Sequence, residues 1–288
     1  MTVGERPTLL ARRGTAVLQG RVASAQVDAR LLLAHVLGTS PGGLVGAPPA
    51  DAEQERRYLR LLQARATGVP LQHLTGEAWF RGVRVMVGPG VFVPRPETEL
   101  VAGAAIDRAR HLRSTGMVPV VVELCAGSGA ISAALAAEVP GCRIVAVERD
   151  DEAVAWCRDN LSHSEVEVRH EDMAEAAHDL DGSVDVVVAN PPYVPTSVRD
   201  SLPVEVTQHD PEVAVFSGPD GLAAIRVVEQ VARRLLRPGG LVVCEHDDSH
   251  ATSAPEIFAD DAWADVSDEM DLSGRPRWVC ATRTVMAG

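Results

Sequence analysis

From residue 118 onward the chain repeats one pattern: a strand-length run, a turn, then a stretch of helical length. The strand-length runs are Val118–Leu124, Arg143–Val147, Glu165–Arg169, Val184–Ala189 and Leu241–Cys244. The helical stretches are Ala130–Glu138, Asp151–Leu161 and Asp220–Leu236. Val184–Ala189 is almost wholly apolar, with none of the alternation that a sheet with one wet face shows. Such strands belong to a parallel sheet covered on both faces by its crossover helices. Two more strands are expected near Ala264–Met270 and Arg277–Thr282, and no internal repeat is present. The pattern predicts an α/β, doubly wound sheet with right-handed crossovers, whose ligands gather at the carboxyl ends of the strands.

The first 75 or so residues read as helical instead. Asp28–Leu37 is rich in leucine and stops at Gly38. A loop runs from Pro41 to Pro49, Asp51 can cap a second helix with Gln54 as its reciprocal partner, and Gly68 and Pro70 end that helix. Between Glu77 and Val93, Val83, Val85 and Val87 alternate with Arg84 and Met86. Gly88-Pro89-Gly90 then turns the chain onto Val91-Phe92-Val93, which reads as a hairpin. The expected division is a helical domain over 1–76, a hairpin linker over 77–95 and the sheet domain over 96–288.

Composition narrows the function classes. The net charge of −13 argues against a protein that grips nucleic acid through phosphates, and suits an acidic enzyme meeting a basic protein. No apolar run approaches the roughly 20 residues of a membrane span. Met1–Arg13 has no apolar segment of the secretory kind, so no membrane and a cytoplasmic location are expected. The five cysteines are scattered without a C-x-x-C pair, so neither disulfides nor a zinc site is expected.

Four strand exits carry chemistry. The first is Cys125-Ala126-Gly127-Ser128-Gly129, a small-residue turn between a strand and a helix, where glycines let a ligand touch the backbone. Glu148 follows 19 residues after Gly129 at the next strand exit, the place of an acid that accepts from ribose hydroxyls. At the following exit, Asp172 can accept from an adenine amino group and Met173 can pack on the ring. A dinucleotide fits less well, because Ser132 stands where the third glycine of the pyrophosphate fingerprint would fall. The fourth exit is Asn190-Pro191-Pro192-Tyr193, directly after Val184–Ala189. A planar amide or aryl amine is a poor nucleophile, because its lone pair is delocalised. The Asn190 side-chain oxygen and the Pro191 carbonyl can each accept one N–H of such an NH2 group. That fixes the nitrogen for in-line attack on a sulfonium methyl and stabilises the positive charge that grows on it. The prolines stiffen the loop, and Tyr193 can lie flat against the substrate group.

These residues resemble the HemK/PrmC family of protein-(glutamine-N5) methyltransferases over nearly the whole chain. The likeness rests on Val69–Gly76, on Gly90–Glu99 with its Pro-Arg-Pro-Glu-Thr-Glu, on Asn190–Tyr193, His209–Glu212, Gly218–Gly221, Leu236–Gly240 and Asp271–Arg275. It implies a class I, Rossmann-like methyltransferase sheet with a small N-terminal helical domain. It implies S-adenosylmethionine as cofactor, and as substrate the glutamine of the Gly-Gly-Gln motif in class 1 peptide chain release factors. By the same resemblance Cys125–Gly129 cradles the methionine part and Glu148 holds the ribose. Asp172 and Met173 hold the adenine, and Asn190, Pro191, Pro192 and Tyr193 the glutamine amide. Cys125 stands where the family often has glycine, Ala126 replaces Thr or Ser, and Glu148 replaces Asp.

Weaker features remain. Pro94–Glu99 reads as a helix entry, with Arg95 a further candidate substrate contact that orients a carboxylate nearby. Glu245-His246-Asp247-Asp248 with His250 looks like a ligand cluster, but strand neighbours point to opposite faces, so no metal is expected. Competing readings are a glutamine methyltransferase acting on a ribosomal protein, an adenine-N6 nucleic-acid methyltransferase, and a non-catalytic assembly factor that keeps the cofactor fold. No direct nucleic-acid partner is expected, and a monomer is.

Overall fold

A computed structural model describes residues 5–202 and 204–285; the expected domain limits at 1 and 288 lie outside them. The chain divides into two units. The first runs to Glu77 and takes in a short later helix, and the second begins at Ala78.

The first unit is built from α1 (Pro7–Leu18), α2 (Ala25–Leu37), α3 (Ala52–Ala66) and α4 (Leu71–Thr75). Gly38 ends α2 in a left-handed conformation. The Asp51 side chain caps α3 while Gln54 reaches back to the Asp51 amide at 2.9 Å, closing the expected capping box. Leu10, Leu18, Leu32, Leu33, Tyr58 and Leu62 form the core. Tyr58 donates to the Ala29 carbonyl at 3.0 Å, and a Cβ at Gly14 would lie only 1.9 Å from the Tyr58 hydroxyl. The α1–α2–α3 junction therefore admits no side chain at residue 14.

A hairpin of β1 (Glu77–Phe80) and β2 (Val83–Met86) begins at the last residue of the first unit, and the second unit continues into α5 (Thr98–Ser114). The hairpin lies earlier than the sequence pattern placed it. Its turn is Arg81-Gly82, both at positive φ (47° and 77°), the conformation that a two-residue hairpin turn demands. Arg81 is held there by Glu138, to which its Nε donates at 2.6 Å, and by the Glu99 carbonyl. Val91–Val93 forms no strand. Gly90, at φ 85°, packs against Glu152, and the Trp156 indole donates to the Pro89 carbonyl at 3.2 Å, so this turn belongs to the helix beside it rather than to a ladder. Phe80, Val85, Val87 and Val91 are buried with Val101, Ile131 and Leu135, so the hairpin is part of the sheet unit's own core.

The main sheet follows with β3 (Val120–Leu124), α6 (Ala130–Glu138), β4 (Arg143–Glu148), α7 (Asp151–Leu161), β5 (Glu167–His170) and β6 (Val184–Ala189). The short helices α8 (Val204–His209, grouped with the first unit) and α9 (Glu212–Val215) come next. Then follow α10 (Ala223–Leu235), β7 (Leu236–Glu245), α11 (Ser253–Glu256), β8 (Trp263–Met270) and β9 (Pro276–Arg283). The order across the sheet is β5-β4-β3-β6-β7-β9-β8. All neighbours are parallel except β9, which is antiparallel to both β7 and β8. Alternate strand residues bury on opposite faces, as the period of two requires. Val121, Ile144, Val186, Val188 and Val243 face α5 and α6, while Val122, Val145, Val187 and Val242 face α10 through Ile225, Val228 and Leu235. The one charge inside β6, Asp185, accepts from the Val120 amide at 2.7 Å and from Arg237, tying β6 to the strands on either side.

Strand β3 carries a second internal charge. Glu123 is buried and accepts from the Ser132 amide at 2.9 Å and from its hydroxyl, pinning α6 to β3. Burial pushes its carboxyl up to about 8. The folded chain thus holds a proton that the unfolded chain, near the ordinary 4.5, releases. That stabilisation is complete below the unfolded value and is lost as pH rises through the folded one. Against Glu123→Gln, the wild type is therefore expected to lose stability between about pH 5 and 8, by up to about 1.4 kcal/mol per pH unit. Urea unfolding of the pair across that window checks it, and parallel stability curves would contradict it. In the first unit, Gly14→Ala is expected to cost about 1–3 kcal/mol by overpacking, with part recovered when Tyr58→Phe removes the hydroxyl. Equal melting temperatures for wild type and Gly14→Ala would contradict the close approach.

Candidate active site

Strands β3 to β7 end at one edge in register: Leu124 pairs with Val147 and with Ala189, Glu148 with His170, and Ala189 with Cys244. Because β3 and β6 are neighbours, the turn after Leu124 and the loop after Ala189 start side by side.

The turn Cys125–Gly129 alternates its handedness. Cys125, Gly127 and Gly129 all have positive φ (58°, 55° and 78°). The two glycines serve different ends. A Cβ on Gly127 would meet no protein atom within 4 Å, so its backbone faces open space. A Cβ on Gly129 would press on Cys157 Sγ and Leu161 Cδ1 at 3.0 Å, so Gly129 lets α7 pack close. Glu148 braces the turn: one carboxylate oxygen accepts from the Gly127 amide at 2.8 Å, the other from the Arg149 and Asp150 amides at 2.8 and 2.9 Å. A carboxylate offers about four acceptor positions, so one remains for a hydroxyl. Asp172 accepts from the Ala174 amide at 3.0 Å and leaves its other oxygen to a long 3.4 Å contact with Arg149. The Met173 sulfur lies 3.4 Å from Cys125 Sγ, which brings the third exit against the first. Burial, with Glu148 nearby, pushes the Cys125 thiol well up, so it stays protonated. Open backbone at Gly127, a spare acceptor at Glu148, an exposed carboxylate at Asp172 and a soft apolar side chain at Met173 fit a nucleoside thioether. Nothing in that set is suited to a pyrophosphate.

Asn160 is a site residue that the sequence reading missed. From α7 its Nδ2 donates to the Ser128 carbonyl at 2.9 Å and to the Met86 carbonyl at 2.9 Å, while its Oδ1 accepts from the Met86 amide at 2.8 Å. One amide thus fastens the glycine turn to the hairpin. No local signal marks it, because its partners lie 32 and 74 residues away.

On the other side of the edge, Asn190 Nδ2 donates to Thr98 Oγ1 at 3.2 Å, at the first residue of α5. That bond uses one of the two Asn190 N–H donors, and the side-chain oxygen is the acceptor atom of the amide. Pro191 is buried and Pro192 half-buried. The Tyr193 hydroxyl donates to Glu245 Oε1 at 3.1 Å. Burial and the neighbouring Glu245 push the tyrosine well up, so it remains a phenol. Beyond Tyr193 the loop is tied down by Val194, whose amide donates to the Val215 carbonyl and whose carbonyl accepts from the Ser217 amide, both at 3.0 Å. Arg95 lies over the Phe92 ring at 4.8 Å and donates to Asp210 at 2.9 Å, so the carboxylate it meets belongs to the chain itself.

The acidic cluster after β7 separates. Glu245 serves Tyr193, His246 bonds Asp268 at 3.1 Å, and His250 bonds the Asp220 carbonyl at 3.0 Å. Among the described residues, no group of three or more His, Cys, Asp or Glu side chains is placed to hold a metal ion. No helix among them is long and apolar enough to cross a membrane. The loop Gly218–Gly221, read from sequence only as a turn, abuts the acceptor loop. A Cβ on Gly221 (φ 76°) would sit 2.4 Å from the Tyr193 carbonyl oxygen and 2.8 Å from His250. Gly221→Ala must therefore displace either loop. It is expected to cost about 1–3 kcal/mol of stability and to impair turnover more than ligand binding at the Gly127 turn. A variant with unchanged stability and turnover would contradict that packing.

The chain is similar to known proteins over most of its length. Residues 10–76 match the family described as PrmC N-terminal domain, and residues 85–206 the one described as Methyltransferase small domain. The chain is 47% identical to a protein named Release factor glutamine methyltransferase from Streptomyces coelicolor, over 92% of this chain and 93% of the relative. It is 43% identical to the protein of that name from Mycolicibacterium smegmatis, over 91% and 92%. A 4-amino-L-phenylalanine/4-methylamino-L-phenylalanine methyltransferase from Streptomyces pristinaespiralis is 38% identical, over 85% and 83%. In fold, the chain resembles the crystal structure of the hMettl16 catalytic domain, with a TM-score of 0.55 at 13% identity, covering 81% of this chain and 82% of that one. From the two family matches and the near full-length relatives, the chain belongs to the family of release factor glutamine methyltransferases.

Proposed function

We propose that this chain transfers the methyl group of S-adenosylmethionine to the side-chain amide nitrogen of the glutamine in the Gly-Gly-Gln motif of class 1 peptide chain release factors, in the cytoplasm. The observation that carries the chemistry is the Asn190 amide, anchored on Thr98 through one of its two N–H donors, with its oxygen as the acceptor. The likeness to release factor glutamine methyltransferases over more than nine-tenths of both chains supports the substrate.

In this reading Cys125–Gly129 seats the methionine part, Glu148 takes a ribose hydroxyl on its spare acceptor position, and Asp172 and Met173 meet the adenine. When bound, S-adenosylmethionine supplies a sulfonium methyl, an electrophile that needs no metal. Asn190 Oδ1 and the Pro191 carbonyl accept the two N–H bonds of the glutamine amide. They point its nitrogen at the Gly127 side of the edge and stabilise the positive charge that develops there. Pro192 keeps the loop stiff, Tyr193 flanks the carboxamide, and Arg95 shapes the wall beside it. As the new N–C bond forms, the sulfonium S–C bond breaks with its electron pair left on sulfur, and the nitrogen gives up one proton to water. The helical module to residue 76 holds the release factor, the hairpin segment 77–95 joins it to the catalytic domain 96–288, and the enzyme works as a monomer.

A second planar NH2 deserves an arm in the test, because one relative is named for an aryl amine. Purified chain is incubated with methyl-labelled S-adenosylmethionine and either a release factor or 4-amino-L-phenylalanine. Label is expected on the Gly-Gly-Gln glutamine and is abolished when that glutamine becomes alanine. Asn190→Ala is expected to lower kcat about 100-fold or more. Label on the aryl amine alone, or on RNA or DNA, would contradict the assignment.

A further inference from the structure

The net charge of −13 is not spread evenly along the chain. Residues 1–76 hold nine arginines against five carboxylates, a net of +4. Residues 77–288 hold 18 arginines against 35 carboxylates, a net of −17. The chain has no lysine, so all 27 basic side chains are arginines, whose planar guanidinium pairs with a carboxylate through two parallel bonds. The helical unit thus carries the opposite sign to the rest of its chain.

Within that unit a basic row lies on α3. Tyr58, Leu62 and Arg65 are buried, and Arg65 is already paired with Asp28 at 2.7 Å. Arg56 and Arg60, one turn apart, lie on the opposite side of the helix with Arg57 beside them. The Arg56 and Arg60 side chains are 61% and 62% exposed and share one acid, Glu53, at 2.8 and 3.3 Å. The other acids at α3 are used elsewhere: Asp51 caps the helix, and Glu55 accepts from the Glu5 amide at 3.0 Å. Arg57 is exposed and donates to His35 Nε2 at 2.9 Å rather than to a carboxylate. Burial, and then Arg57, hold His35 below its ordinary value against the pull of Glu77. Leu59, three residues after Arg56 and 45% exposed, adds an apolar contact to the same side.

We infer that the outer face of α3, formed by Arg56, Arg57 and Arg60 with Leu59, docks an acidic surface of the release factor. The inference rests on the proposed function and names the chemistry of the substrate surface that the helical unit meets. Three guanidinium groups with one acid between them leave a surplus of two positive charges for a partner to neutralise. Rows about 6 Å apart match carboxylates one turn apart on a helix of the partner. A nucleic acid fits less well, because its phosphates run on past the contact and meet the −17 of residues 77–288. A compact acidic patch needs only local complementarity, and Leu59 gives it an apolar neighbour to cover. Exposed ion pairs are individually weak, so the face sets encounter and register rather than a buried lock.

The test is steady-state methylation of a release factor by the full chain and by a variant combining Arg56→Glu, Arg57→Glu and Arg60→Glu. Glutamate keeps the helix propensity of arginine, so α3 is preserved. KM for the release factor is expected to rise about 10-fold or more, with kcat and KM for S-adenosylmethionine within about twofold of wild type. Raising salt from about 50 to 300 mM should raise the wild-type KM and leave or lower that of the variant. A variant KM within about twofold of wild type overturns the inference, and so does a loss confined to kcat. If the glutamate variant does not fold, the triple change to glutamine decides, with a smaller rise in KM and a flatter salt dependence expected. Competition with the release factor by poly-uridylate but not by poly-L-glutamate would assign the face to nucleic acid and overturn the inference. A wild-type dimer in sedimentation that the variant abolishes would assign it to a second copy of the chain, with the same consequence. If wild-type chain labels no release factor, the functional reading fails and the inference with it. If it labels the factor and the variants keep its KM, the inference alone fails.

Discussion

The pairing of β3 with β6 is the constraint on which the site depends. Leu124 lies opposite Ala189, so the glycine turn and the acceptor loop leave the sheet from adjacent strands, about 4.8 Å apart, in the same direction. A parallel sheet alone permits this, because every strand then delivers its exit loop to one edge. A register slip in a strand buried on both faces would move apolar side chains between two filled layers, so packing on α5, α6 and α10 fixes the geometry that the chemistry uses. Asp185, bonded on one side to Val120 and on the other to Arg237, adds a polar lock to the same strand.

Three buried glutamates divide the work of holding the edge. Glu123 fastens the helix behind the glycine turn through Ser132, the residue that occupies the place of a third fingerprint glycine. Glu148 collects three backbone amides and so shapes the turn itself. Glu245 gathers the loop on the far side. Each carboxylate ends or nearly ends a strand, where backbone donors and hydroxyls from a neighbouring element are within reach. This is why a chain rich in acid can bury so many of them.

Much of this was legible in the sequence. The near-pure apolar run of β6 announced a sheet covered on both faces, and the spacing from Gly129 to Glu148 and on to Asp172 marked successive exits of one edge. Helices α6 and α7 fall where the periodicity placed them. What escaped was set by partners distant in sequence. The hairpin turns at Arg81-Gly82 rather than at Gly88–Gly90 because Glu99 and Glu138 stabilise a left-handed arginine, which no local propensity favours. Thr98 and Asn160 look like ordinary helix residues, yet one holds the Asn190 amide and the other the glycine turn. The acidic cluster after β7 looked like a set of ligands and proves to be several unrelated anchors.

The central claim is that a planar carboxamide is held between the Asn190–Pro191 acceptors and the Gly127 turn. A crystal structure of the chain with S-adenosylhomocysteine and a glutamine-containing Gly-Gly-Gln peptide tests it most directly. The account predicts the glutamine nitrogen within about 3 Å of both Asn190 Oδ1 and the Pro191 carbonyl, with the thioether sulfur in line behind it. A glutamine side chain bound elsewhere, or one facing the Asn190 NH2 group, would contradict it.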